Sequence, residues 1–263
     1  MIKQYKISVP KSTLNEIYKK IRNFPWSATQ NMNGWEYGTN LNYLKSISKY
    51  WITKYDWKKF ENKINSLKNY RTKVEDINLH FIFEKSKNPN SRPLLLLHGW
   101  PGSISEFLDI IPRLAHPEKY GGKIEDGFDV IVPSLPGFGF SSQIKKALGP
   151  RKIGKILNKF MVKNLGYKNY FVQGGDWGAT IAGWIGLDSS KNCKGIHINC
   201  LPLRHPKGPK NSKEKKWEKK FNFDQIMQEG YRTQQATKPQ TLSYAMIDSP
   251  VGTAAWILSL IHI

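Results

Sequence analysis

"NYFVQGGDWGAT" (169–180) runs from an apolar stretch into three glycines that enclose Asp176 and Trp177, then into the apolar segment "ATIAGWIGL". Its composition predicts a strand, a tight turn and a helix, with a carboxylate at the centre of the turn. In an open α/β sheet this is the carboxyl end of a strand, where ligands bind. Neighbouring segments supply the rest of such a sheet. "RPLLLLHG" (92–99) and "FDVIVPSLPG" (128–137) are continuous apolar runs that end in glycine, the pattern of central strands buried on both faces. "VEDINLHFIFEKS" (74–86) alternates as a strand does, and "CKGIHINCL" (193–201) completes the set. Between them "RKIGKILNKFMVKNL" (151–165) places Ile153, Ile156, Leu157, Phe160 and Met161 on one helical face. Strands alternating with helices predict an α/β core, a mostly parallel sheet with helices on both faces.

The flanks read differently. In "STLNEIYKKIRNF" (12–24), Ser12 or Thr13 is the expected N-cap, with Leu14, Ile17, Tyr18 and Ile21 at helical spacing. "LNYLKSISKYWITKYDWKKFENKINSL" (41–67) continues the pattern through Leu41, Leu44, Ile47, Tyr50 and Trp51. The loop between them carries Trp26 and Trp35, which need apolar cover, so residues 1–75 read as a helical region wrapped on a neighbour. The core is expected over 76–205. Residues 206–263 read as a helical, aromatic insertion broken at Pro239 and Pro250.

With 263 residues the chain can bury one full core and a smaller appendage. Its formal charge of +21 is spread along the sequence, densest in "KGPKNSKEKKWEKK" (207–220). No zinc-ligand spacing, basic zipper or RNP signature accompanies it, so the reading is a lysine-rich solvated surface and no nucleic-acid partner. Weak peripheral contact with an anionic membrane is compatible with this charge. The apolar end "AAWILSLIHI" is too short for a membrane span, and "MIKQYKISVPKS" lacks the apolar centre of a signal peptide, so a soluble protein is expected. Cys193 and Cys200, in or beside one apolar run, are expected to be reduced and buried.

Chemistry gathers at the turn. Small residues two before and two after Asp176 permit a strained bend that lifts its side chain clear of the backbone. This is the nucleophile elbow, G-x-S-x-G, with aspartate in place of serine. A carboxylate is already ionised at neutral pH and attacks carbon without a base, forming an ester that water must cleave. The competing reading is that Asp176 only caps the following helix. "LLLLHGWPGS" (94–103) ends a second strand and can turn backbone N–H groups toward the same place; Trp100 and Trp177 are the expected oxyanion pair. His98 is read as ordering this loop through hydrogen bonds, and the G-x-G of "LPGFGFSS" (135–142) is weak as a nucleotide motif.

Together "HGWPGS", "LPGFGFS", "GGDWG" and "TKPQTL…DSPVG", in this order, resemble the epoxide hydrolases of the microsomal and juvenile-hormone type, within the α/β-hydrolase superfamily. "WEYGTNLNYLKSISKYW" and "YDWKKFE" are similar to that family's N-terminal domain. The resemblance implies an α/β-hydrolase fold with a partial helical cap, and hydrolysis of an apolar epoxide by water to a vicinal diol with no cofactor or metal. It implies Asp176 as nucleophile, Trp100 and Trp177 as oxyanion amides, and Tyr231 of "EGYRTQQATKPQ" as proton donor to the epoxide oxygen. It implies a cytoplasmic place or peripheral association with the endoplasmic reticulum. A second tyrosine, a charge-relay acid and the catalytic histidine fall outside these residues in the family. The expectation is therefore that the chain as given is C-terminally truncated, poorly soluble and able at best to trap an epoxide once. None of the histidines present fits as the base: His197 reads as a core residue, His80 and His205 lack context, His116 lies in a loop and His262 in the cap. A dehalogenase, which also uses an elbow aspartate, and a non-catalytic hydrolase that binds apolar ligands are the alternatives.

Overall fold

The chain is described by a computed structural model covering residues 1–30, 34–200 and 207–262. The strands are β1 (Lys3–Gln4), β2 (Asn69–Val74), β3 (Ile77–Glu84), β4 (Arg92–Leu97), β5 (Phe128–Pro133), β6 (Tyr170–Gly174) and β7 (Cys193–Ile198). Among the described residues they form one sheet in the order β1-β2-β3-β5-β4-β6-β7. β1, β2, β3 and β5 pair antiparallel in succession. The half that bears the glycine turns, β5-β4-β6-β7, is parallel.

The period of two along each strand sorts side chains into two cores. Leu95 and Leu97 of β4, Phe81 of β3 and Ile131 of β5 join one; Leu96, Ile82, Val130 and Val132 join the other. The ten α-helices among the described residues are α1 (Lys11–Arg22), α2 (Leu41–Thr53), α3 (Trp57–Asn65), α4 (Ile111–Ala115), α5 (Pro150–Lys159), α6 (Trp177–Asp188), α7 (Ser212–Gln228), α8 (Gly230–Thr237), α9 (Pro239–Asp248) and α10 (Pro250–Leu258). The first core is closed by α5 and α6, through Ile153, Ile156, Leu157, Ile181 and Ile185. The second is closed by Ile64 of α3, Ile111 of α4 and the turn residues Ile104 and Leu108. Each such side chain, fully buried, contributes about 1.5–3 kcal/mol. A sheet covered on both faces explains why β4 and β5 read as unbroken apolar runs.

The chain divides into two compact units, one of Met1–Ser8 with Trp57–Pro202, the other of Val9–Asp56 with Leu203–Ile263. These units cut across the sequence segments 1–75, 76–205 and 206–263. The second unit builds its own small core. Ile21 of α1, Leu44 of α2 and Val251 of α10 are buried together, with Tyr18, Trp26, Trp51 and Leu258 packed around them. Lys20 Nζ donates to Asp248 Oδ1 at 2.7 Å, and Thr39 Oγ1 donates to the Ala255 carbonyl. Trp26 finds its apolar cover here.

Several sequence expectations need correction. Helix α1 starts at Lys11 behind Pro10, so Ser12 and Thr13 lie inside its first turn and neither caps it; proline sets the entry dihedral and has no N–H to satisfy. The long helical pattern from 41 to 67 is two helices, with α3 in the first unit, and Tyr50 is exposed. β7 pairs only with β6 among the described residues, so its side chains are covered less than those of a central strand. His197 is consequently exposed, and so is Cys200 beyond the strand end, while Cys193 is buried; both cysteines are free. His205 lies outside the described residues. No helix among the described residues is long and apolar enough to cross a membrane.

Candidate active site

The site grows from the junction of β6 and α6. Asp176 has φ 49° and ψ −123°; among the described residues only Glu75 is a second non-glycine with positive φ. Such a backbone costs about 1–3 kcal/mol and persists only where surroundings enforce it. Here bare glycines enforce it. A Cβ on Gly174 would stand 2.1 Å from the Gly178 carbonyl oxygen, and one on Gly178 would stand 2.1 Å from the Leu97 carbonyl oxygen. The turn can therefore close only with hydrogens at both positions, which ties β6, β4 and α6 into one joint.

Asp176 occupies the N-cap position of α6, yet its side chain caps nothing in the helix. The capping alternative fails on this point. Its carboxylate points instead to the loop after β4, where Oδ1 accepts the Trp100 N–H at 2.8 Å. Gly99 makes room for it, since a Cβ there would meet Asp176 Oδ1 at 2.3 Å. Trp177, partly exposed, is the first residue of α6, so its N–H has no acceptor within the helix. A helix N-terminus also favours negative charge.

His98 is fully buried and acts as a splint. Its Nδ1 lies 3.1 Å from the Gly99 carbonyl and its Nε2 accepts the Leu135 N–H at 3.0 Å, so Nδ1 carries the proton. Burial lowers its pKa, against the raising influences of the Gly99 carbonyl and the Asp176 charge. Both ring nitrogens are used, as the sequence reading of His98 expects. A second buried histidine holds the adjacent residue of the same loop: His80 Nδ1 lies 2.9 Å from Ser134 Oγ and its Nε2 3.0 Å from Asn69 Oδ1. Ser141 Oγ donates to the Ser134 carbonyl and Arg71 Nη2 to the Phe140 carbonyl, both closing the "LPGFGFSS" loop. That loop is bound by the protein's own groups, with left-handed Gly137 and Gly139 at its bends.

The structure brings Asp176, Trp100 and Trp177 together in the first unit and carries Tyr231, half-buried, on α8 of the second. His116 ends α4, with Nε2 3.9 Å from Glu84 Oε2. Glu106, which sequence reasoning passed over, stands beside the site and feels the charge of Asp176. Its signal was Ser103-x-x-Glu106, the pattern of a capping box at a helix start.

Comparison with known proteins agrees with this architecture. Residues 2–107 match the family "Epoxide hydrolase N terminus", and residues 92–245 match "alpha/beta hydrolase fold". Epoxide hydrolase 1 of Oryctolagus cuniculus is 35% identical over 98% of this chain and 61% of its own length. Juvenile hormone epoxide hydrolase 1 of Ctenocephalides felis is 32% identical over 98% of this chain and 59% of its own. The chain thus spans about three-fifths of the length of these curated relatives. Among solved structures, the epoxide hydrolase of Aspergillus niger superposes with a TM-score of 0.85 at 26% identity, over 98% of this chain and 69% of that one. The juvenile hormone epoxide hydrolase of Bombyx mori superposes with a TM-score of 0.80 at 32% identity, over 98% of this chain and 62% of that one. The sheet, the aspartate elbow and the matches agree: the chain belongs to the alpha/beta hydrolase fold family, and its first part, through β4, matches the epoxide hydrolase N terminus.

Proposed function

We propose that this chain carries the nucleophile of an epoxide hydrolase. One observation bears most of the weight: a strained, non-capping Asp176 whose Oδ1 is held by the Trp100 N–H. With Oδ1 so engaged, Oδ2 is the oxygen left to attack. It forms a bond to an oxirane carbon as the carbon–oxygen bond of the ring breaks, and the alkoxide released takes the proton of the Tyr231 hydroxyl. Oδ1 is then the carbonyl oxygen of the ester. When water adds to the carboxyl carbon, negative charge develops on Oδ1, where the Trp100 and Trp177 N–H groups stabilise it. The bond from the carboxyl carbon to Oδ2 then breaks, one proton of the water passes to the departing diol oxygen and the other restores the Tyr231 hydroxyl, and Asp176 retains an oxygen from water. His98 does not activate that water, because its ring nitrogens are committed to Gly99 and Leu135.

The relatives named for juvenile hormone and those named only for epoxides match at similar identity. What they share is the oxirane, and that is the substrate group assigned to this chain.

The test is a reaction with styrene oxide in heavy-oxygen water, read by mass spectrometry of the protein and the diol. A styrene glycol ester is expected on Asp176 and is absent from Asp176→Asn. Diol formed in a first turnover draws its new oxygen from the protein. First-turnover diol that carries the solvent label would rule out the ester route.

A further inference from the structure

Two glycines of "HGWPGS" leave room for two different carboxylates. The place of a side chain on Gly99 is taken by Asp176, and that on Gly102 by Glu106, whose Oε1 lies 1.6 Å from where a Cβ would stand. Gly102 does not have a left-handed backbone, so its lack of a side chain answers to this carboxylate and not to φ. Glu106 sits on a short turn, Ile104–Phe107, that Ser103 caps by accepting the Ser105 N–H, while the Glu106 N–H donates to the Ser103 carbonyl at 3.1 Å. The loop from Gly99 to Ser103 thus folds back under the Glu106 carboxylate. The backbone N–H groups of Gly99 and Ser103 lie near enough to this carboxylate to lower its pKa. Gly99 immediately precedes Trp100, whose N–H grips the nucleophile.

We propose that Glu106 is a positioning residue of the nucleophile loop: seated over Gly102, its carboxylate holds the Gly99–Ser103 backbone in the shape that presents the Trp100 N–H to Asp176. Its ionisation agrees with this seat. Burial raises its pKa, the Gly99 N–H lowers it, the negative charge of Asp176 raises it and the Ser103 N–H lowers it. The carboxylate is thus partly desolvated, within reach of the nucleophile's field, and compensated by the loop's own donors.

The activity arm of the test rests on Asp176 as nucleophile; the exchange arm does not. In the full chain, Glu106→Ala is expected to slow ester formation from styrene oxide roughly tenfold, the effect of losing a charge-assisted acceptor that fixes a reacting group. The epoxide concentration for half-maximal rate stays in place. Glu106→Gln keeps acceptor oxygen at the seat and returns the rate to within about threefold of the unmodified chain. Gly102→Ala evicts the carboxylate without removing it, so it matches Glu106→Ala, and the double variant is no slower than either single one, as coupled sites require. Amide hydrogen exchange across residues 98–103 rises in Glu106→Ala and Gly102→Ala and returns in Glu106→Gln. Losses that multiply in the double variant, or exchange unchanged in Glu106→Ala, overturn the proposal. If the unmodified chain forms no ester, the proposed function fails, and the exchange arm alone decides the role of Glu106.

Discussion

The two units hold the side chains proposed to react, Asp176 and Tyr231, by opposite means. In the first, Asp176 is fixed by its backbone: a positive φ, glycines whose hydrogens touch neighbouring carbonyls, and a loop splinted by a buried histidine. In the second, Tyr231 rides on an eight-residue helix with no buried residue of its own, and the unit's core is three buried side chains from α1, α2 and α10. A backbone joint tolerates almost no change and leaves a readable pattern of small residues. A helix face tolerates many changes and leaves little.

This contrast is sharpest at its glycines. Gly178→Ala puts a methyl group 2.1 Å from the Leu97 carbonyl oxygen and 2.9 Å from that of His98, both main-chain atoms that cannot swing away. Overpacking usually costs about 1–3 kcal/mol, and a main-chain clash this close belongs at or above the top of that range. The expected outcome is loss of the cooperative unfolding transition of the first unit, or a denaturant midpoint too low to measure. A midpoint within experimental error of the unmodified chain would show that the joint is softer than its geometry.

A matching blow to the second unit falls on its core. Leu44→Ala removes one of three buried side chains there and is expected to cost about 2–5 kcal/mol, the range for deleting a buried leucine. With so few buried partners to share the loss, protease resistance of α1, α2 and α10 should fall together. Resistance that falls in α2 alone would mean that the three helices do not stand or fall as one core.

The same contrast governs what could be read in advance. The elbow was legible because glycine spacing around Asp176 has one economical explanation, and the sheet because β4 and β5 are apolar on both faces. Tyr231 is proposed only through resemblance, since nothing in "EGYRTQQATKPQ" distinguishes a reactive phenol from a packing one. The break between α2 and α3 was missed because Tyr55 and Trp57 keep aromatic residues running through it. His197 was misread because Ile196 and Ile198 give β7 the look of a central strand, whereas among the described residues it pairs on one side. Glu106 was invisible as a partner of Gly102: a short local pattern reads as a cap and says nothing of the loop folded beneath it.

Acid should separate the units again. Burial, aided by the Arg71 charge, drops the pKa of His80 from 6.5 to about 3. A histidine depressed in the folded state is protonated first in the unfolded chain, so its contribution is complete above pH 6.5 and is lost as pH falls toward 3. The slope is about 1.4 kcal/mol per pH unit inside that window. His98, also depressed, acts in the same direction. Urea titrations of the first unit at pH 7, 6, 5 and 4 should show this decline, and His80→Gln should flatten it. A stability that is level over this range would mean that His80 is solvated or charged in the folded state.

The smallest effect is expected where the elbow's logic is absent. Gly230 opens α8 next to Tyr231, and a Cβ placed there would meet nothing within 4 Å. Its φ is not left-handed, so alanine fits the backbone that already exists. Gly230→Ala is expected to stabilise α8 by about 0.4–1 kcal/mol, because it narrows the unfolded ensemble and suits a helix better. Where Gly178→Ala breaks a joint, Gly230→Ala should slow amide exchange in α8 by a few-fold and leave ester formation on Asp176 as it was. If instead Gly230→Ala loosens α8 as Gly178→Ala loosens the elbow, the glycine beside Tyr231 has a close neighbour of its own, and the second unit fixes its tyrosine by backbone after all.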